Sequence, residues 1–222
     1  MGPHFRIVSV IVLLSIARGG RAQPALGERL VHDYEAQTGM GSTPELERLS
    51  GYIRNVGNRV AGALPSHLPY QFIFDPNPAF RSAFALPDRY IVVGGGLLAL
   101  AVTEDELANA LAHEIEHVEL GQVGRRVTEL INKKRLDQIQ VSDFFPGYGR
   151  EDELASDLNG QKLAAAAGYS PAGTLTLLQT FEALRRGPPE ERSDKRPTLS
   201  ERIAQATRFA GTQRRQVPLK IP

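Results

Sequence analysis

His113 and His117 stand four residues apart with Glu114 between them, in the run A-N-A-L-A-H-E-I-E-H-V-E-L over residues 108–120. On an α-helix that spacing brings two side chains to one face, about 6 Å apart along the axis, so both imidazoles can reach one metal ion. Glu114 falls one step round on the same half of the helix, within reach of a water held by that ion. The chemistry such a set supports is metal-assisted hydrolysis. It needs a third ligand from elsewhere, without which the run is only a surface helix carrying two histidines.

The flanking residues supply the helix. Thr103-Glu104-Asp105-Glu106 is a capping box, T-x-x-E, ahead of an apolar run, and its three acids suit the positive end of the helix dipole. Leu107, Leu111, Ile115 and Val118 form a stripe roughly opposite the histidines, so one side faces core and the other a polar cleft. Gly121 offers a stop.

The chain has 222 residues, 41% hydrophobic and 23% charged, which suits one globular domain with a sizeable core. It contains no cysteine, so disulfides and thiolate ligands are excluded and any metal rests on His, Asp and Glu. Five histidines are present. His4 lies in a segment expected to be removed, which leaves His32, His67 or a carboxylate as third ligand. A second helix is expected over Glu151 to Gly168, and there Glu153 and Asp157 are again at i, i+4. Such pairs on a helix are commonly solvated, but Glu153 as ligand and Asp157 as acceptor for a histidine N–H would meet both needs of the site. Glu116, Glu119 and Glu129 are rivals, the first two poorly placed because they share the helix of the histidines.

Residues 1–22 read as a secretory signal, with a short polar start, an apolar run from Ile7 to Ala17 and a small-residue end at Gly20-Arg21-Ala22. An uncleaved anchor is the alternative, although the run is short for a membrane span. Cleavage would remove three arginines (Arg6, Arg18, Arg21) and no acids, moving the formal charge from +1 to −2. A near-neutral mature chain gives no electrostatic reason to bind nucleic acid. The remaining boundaries are a domain over 23–211 and a flexible tail over 212–222.

Within the domain, one short helix is expected in Gln23 to Gly41, and another opens at Thr43-Pro44 and runs to about Ala63. Strand candidates follow at Tyr70 to Phe74, Phe80 to Leu86 and Tyr90 to Val93, the last two an antiparallel pair joined at Pro87-Asp88-Arg89. Gly94-Gly95-Gly96 lacks the Gly-Lys-Ser/Thr of a phosphate loop and reads as a tight strand-to-helix passage. Asn132 to Arg150 is either a flap, with Phe144, Phe145 and Tyr148 over a cleft, or a packed surface loop. Helices over Ala172 to Arg186 and from Thr198 to Ala210 complete the domain.

Four ordered blocks besides the metal helix carry a resemblance. S-A-F-A-L-P-D-R-Y-I-V-V at 82–93, D-E-L-A-N-A-L-A-H-E-I-E-H-V at 105–118, E-L-A-S-D-L-N-G at 153–160, A-G-Y-S-P at 167–171 and R-P-T-L-S-E-R-I at 196–203 together resemble the HtpX-like zinc metallopeptidases. That family includes a soluble periplasmic BepA-type branch, and the CAAX prenyl proteases are distant relatives. The resemblance implies an α+β, mainly helical zincin (gluzincin) domain with a small antiparallel sheet beside the H-E-x-x-H helix. It implies one Zn²⁺ per chain on His113, His117 and Glu153, Glu114 as catalytic base, and Asp157 behind a ligand. Ser82, Ala83, Phe84, Ala85 and Leu86 become the edge strand that pairs with an extended peptide. Departures from the family pattern are Ser82 for Asn, Asp88-Arg89 for Gly-Gly, Ser156 for Ala, and Arg196 for the His of an H-P pair. The absence of strongly hydrophobic membrane helices points to the exported, soluble branch.

The reading is therefore a periplasmic zinc endopeptidase acting in quality control on unfolded or misfolded polypeptides, with the outer-membrane assembly machinery as a further partner. The alternatives are a periplasmic chaperone or assembly factor for outer-membrane proteins, with secondary or no hydrolysis, and a metal-stabilised structural domain.

Overall fold

The structure, a computed structural model, describes residues 25–187 and 195–210. The expected signal segment and C-terminal tail lie outside the described residues. In chain order the elements are α1 (Leu26–Thr38), α2 (Pro44–Ala61), β1 (Gln71–Asp75), β2 (Ala83–Leu86), β3 (Tyr90–Gly94), α3 (Gly95–Leu100), α4 (Glu104–Glu119), α5 (Gln122–Ile131), α6 (Arg150–Ala166), α7 (Ala172–Leu184) and α8 (Leu199–Ala210). The mainly helical α+β class is as expected.

The axis of the fold is α4. Its start is fixed by the capping box: Thr103 Oγ1 accepts from the Glu106 N–H at 3.2 Å, and Glu106 accepts from the Thr103 N–H at 3.2 Å. Each such cap contributes about 1 kcal/mol. Leu107, Leu111 and Ile115 are fully buried as the stripe predicts, but so are Ala108 and Ala112 on the flanks. The reason is that α4 packs against α2, α6, α7 and β2, so it is surrounded by structure instead of lying on it. Burying each large aliphatic chain is worth about 1.5–3 kcal/mol, which makes α4 the best-anchored helix of the core. A buried polar cluster ties it to α7: Asp105 Oδ1 accepts from the Ser170 N–H at 2.8 Å, and Asn109 Nδ2 donates to the Asp105 and Ser170 carbonyls at 2.7 and 2.8 Å.

The sheet departs from the small antiparallel sheet expected. Its order is β1-β3-β2, with β2 antiparallel to β3 but β1 parallel to β3, so the sheet is mixed. The chain leaves β1, crosses to the far side and returns through β2, which puts β3 between them. The second strand is also shorter than Phe80 to Leu86. Phe80 to Ser82 pass beneath the β3–α3 junction instead, with the Leu97 N–H donating to the Phe80 carbonyl at 3.2 Å. Ser82 therefore precedes the strand, although its carbonyl still accepts from the Gly94 N–H at 3.0 Å.

The β2–β3 turn explains one departure from the family pattern. Asp88 (φ 59°) and Arg89 (φ 65°) both take left-handed backbone, which Gly-Gly would adopt without strain. Here Asp88 is held by accepting from the Gly27 N–H at 2.7 Å, and the Arg89 guanidinium lies 5.9 Å from the Tyr70 ring centroid.

Residues 132–149 combine the two readings offered for them. Ile139, Val141 and Phe144 are buried in the core, so the middle of the segment is packed down while residues 132–138 are largely exposed. Its tip nevertheless reaches the cleft: Phe145 sets its ring against Phe84 of β2, centroids 5.1 Å apart, and Tyr148 lies against a proposed ligand. Among the described residues, no helix is long and apolar enough to cross a membrane.

Candidate metal centre

The cleft, about 190 Å³, is bounded by β2, α4, α7 and the 144–148 tip. At its floor the ligand atoms of His113, His117 and Glu153 all lie within 4.8 Å of one another. The two Nε2 atoms face each other at 2.9 Å, while Glu153 sits 3.6 Å from His113 Nε2 and 4.0 Å from His117 Nε2. The close crossing of α6 over α4 makes this possible. At Gly160 a Cβ would stand 3.0 Å from the His113 backbone nitrogen, so glycine lets α6 lie low on α4, with Glu153 and Asp157 over the rings, without a shift of a few tenths of an ångström between the two backbones.

Each imidazole has an acceptor behind it. His113 Nδ1 lies 3.0 Å from Asp157 Oδ1. His117 Nδ1 makes a short contact with Gln122 Oε1, and Ser156 Oγ lies 3.1 Å from both of those atoms. Gln122 is oriented by donating through Nε2 to the Asp152 carbonyl at 3.3 Å. His117 Nδ1 is engaged by Gln122, and His113 Nδ1 has the Asp157 carboxylate beside it without an aligned hydrogen bond, so the two Nε2 atoms are left facing a common place beside a carboxylate. Two nitrogens and one oxygen converging in this way fit a zinc-type ion and are poorly arranged for one another without a cation between them.

The electrostatics follow from burial and from these partners. Burial pushes the Glu114 carboxyl up to about 7, Glu153 adding to the effect, while the His113 ring, Arg202 and the Ala85 backbone oppose it. At His113, burial disfavours the charged ring, but hydrogen bonding to Asp157 and Glu153 outweighs it and raises the ring to about 10. His117 goes the other way, lowered to about 3 by burial first and then by the charge at His113. Glu153 and Asp157 are held well below the usual carboxylate range, because His113 and Arg202 overcome the upward push of burial.

Of the residues proposed from sequence, Ser82, Ala83, Phe84, His113, Glu114, His117, Glu153 and Asp157 line this cleft, whereas Ala85 and Leu86 are buried in the core behind it. His32 and His67 are exposed and remote from the cluster. Among the rival carboxylates, Glu119 accepts from the Tyr70 hydroxyl at 2.6 Å, Glu129 is largely exposed beside Arg126, and Glu116 is not in the cluster. The hairpin pattern leaves the backbone groups of Ala83 and Ala85 facing away from β3, and the Ala85 backbone reaches Glu114. Sequence reasoning missed Gln122 and the roles of Ser156 and Arg202. Arg196, in place of the family His, donates to the Pro146 carbonyl and so ties the approach to α8 to the cleft tip.

Comparison with known proteins places the core of this arrangement. Residues 47–140 match the model of peptidase family M48, a span holding His113, Glu114 and His117. That stretch belongs to peptidase family M48. A Vibrio cholerae relative carrying the name beta-barrel assembly-enhancing protease is 39% identical over 84 residues, covering 36% of this chain and 17% of the relative. This chain therefore spans a small part of that relative's length. The M48 match ends before α6 and α8, so it does not cover Glu153, Asp157 or Arg202, which the structure brings to the cleft.

Proposed function

We propose that this protein is a zinc-dependent metalloendopeptidase of the bacterial cell envelope that cleaves misfolded or unassembled polypeptides. The observation that carries the reading is the convergence of His113, His117 and Glu153 beside a buried Glu114, with the H-E-x-x-H part inside an M48 match. These three residues would hold the ion, one per chain. Bound there, zinc supplies a water of lowered pKa and polarises the scissile carbonyl.

The chain's own residues do the rest. Glu114, with its carboxyl raised toward neutrality, takes the proton of the attacking water and returns one to the leaving amine. Asp157 and Gln122 keep each imidazole turned so that Nε2 faces the ion. The outward backbone groups of Ala83 pair with an extended substrate, which gives affinity through main-chain bonds and little demand on sequence, while the Ala85 N–H is engaged by Glu114. Such recognition selects unfolded chains over folded ones. Export to the periplasm and a link to outer-membrane assembly rest on the apolar N-terminal run and on the Vibrio relative's name, which refers to beta-barrel assembly.

The test is Glu114→Gln, measured on a denatured casein-type substrate with zinc content quantified. Zinc content should be unchanged and kcat/KM should fall by about 10²–10⁴-fold, the range of a general base. Retained turnover removes Glu114 from that role. Client binding and rescue of client folding, with no cleavage by the wild type, supports the chaperone reading instead.

A further inference from the structure

We infer that Arg202 of α8 is a positioning residue of the metal centre, acting through Asp157 on His113, so that the C-terminal helix is part of the catalytic apparatus. The inference rests on the metallopeptidase reading above.

Four polar ties join α8 to α6. Three of them hold only the helix: Arg150 to Glu201 at 2.6 and 2.8 Å, Gln205 to the Leu154 carbonyl at 2.5 Å, and Gln161 to the Ala206 carbonyl at 3.3 Å. The fourth points inward. Arg202 donates through Nε to Asp157 Oδ2 and through Nη2 to Asp157 Oδ1, both at 2.7 Å. A planar fork on a planar carboxylate fixes the rotation of that carboxylate as no single bond can. Asp157 is 1% exposed at its side chain, and the oxygen that takes Nη2 is the one 3.0 Å from His113 Nδ1. Pinning the carboxylate therefore pins the ring, and with it the direction of Nε2. The third arm, Nη1, lies 3.6 Å from Glu153 Oε2, so the same guanidinium also stands behind the carboxylate proposed as third ligand. A residue with merely a tethering task would duplicate Arg150; only Arg202 touches the shell behind the ligands.

The experiment is zinc affinity by competition with a chelating dye, on the full chain, for wild type, Arg202→Met, Arg202→Lys, Glu201→Gln, Asp157→Asn and the Asp157→Asn/Arg202→Met double variant. Arg202→Met should weaken zinc binding by about 10–100-fold, the usual range for a partner of a metal ligand. Arg202→Lys should recover part of that, and Glu201→Gln should stay within about twofold of wild type while melting at lower temperature. In the double variant the loss should match Asp157→Asn alone, because a residue that acts through another adds nothing once that other is gone. The double variant carries no unmatched buried charge, so it keeps the test alive if Arg202→Met does not fold. Wild-type zinc affinity in Arg202→Met, or losses that multiply in the double variant, overturns the inference. A wild-type chain that binds no zinc removes the metallopeptidase reading itself, a different failure.

Discussion

The two imidazoles of the centre are held by different physical means. Behind His113 stands a charged relay, Asp157 and then Arg202, contributed by α6 and α8. Behind His117 stands a neutral one, Gln122 and Ser156, contributed by the start of α5 and by α6. The charged relay is internally balanced, one carboxylate against one guanidinium, so it orients a ring without adding net charge to the cleft. The neutral relay does the same through dipoles alone. The lesson is that orientation of a metal ligand needs an acceptor of fixed direction and not a particular charge. The two solutions differ instead in what their loss costs.

That contrast can be tested by dismantling each side. Asp157→Ala should be the most damaging change, because it removes the bidentate partner of the largely buried Arg202 and leaves it only the Glu153 carboxylate at 3.6 Å; breaking a buried pair costs up to about 3–5 kcal/mol. Denaturant unfolding of the metal-free chain measures it, and a loss no greater than that of the amide-side variants would erase the distinction. Gln122→Leu keeps the volume but leaves the His117 Nδ1 only the Ser156 hydroxyl at 3.1 Å, at a cost of about 1 kcal/mol, and should lower zinc affinity about tenfold. The smallest effect is expected for Ser156→Ala, at about 0.5–1 kcal/mol with zinc affinity nearly unchanged, because Gln122 still accepts from the ring. A larger loss there would mean that the hydroxyl, and not the amide, sets the His117 tautomer.

What the sequence disclosed divides along the range of the interactions. The capping box at Thr103, the apolar stripe of α4 and the i, i+4 spacings of His113/His117 and Glu153/Asp157 are local patterns, and they can be read from a few adjacent residues. Gln122 follows a glycine with φ 70° that turns the chain under His117, and nothing in the spacing of residues 117–122 announces that fold-back. Arg202 lies within a motif seen in the sequence, but its task depends on how α8 is laid on α6. A buried Asp157 without a named cation was the available clue. The parallel β1–β3 pair was hidden for a related reason: alternation marks a strand but does not name its neighbour. Asp88-Arg89 looked like a simple departure from Gly-Gly and proves to keep the same left-handed backbone with side-chain support.

An edge open to a client chain is open to sister molecules as well. In this sheet the border beside the cleft is Ala83–Leu86, half-buried at Ala83 and buried beyond it, closed at once by Pro87 and overlain by Phe145; the other border is β1. A border of four residues leaves too little ladder for stable self-pairing, and Pro87 has no N–H to extend it. On the proposed function, the strand that would receive a substrate backbone is thus too short to serve as a template for a second copy of the chain.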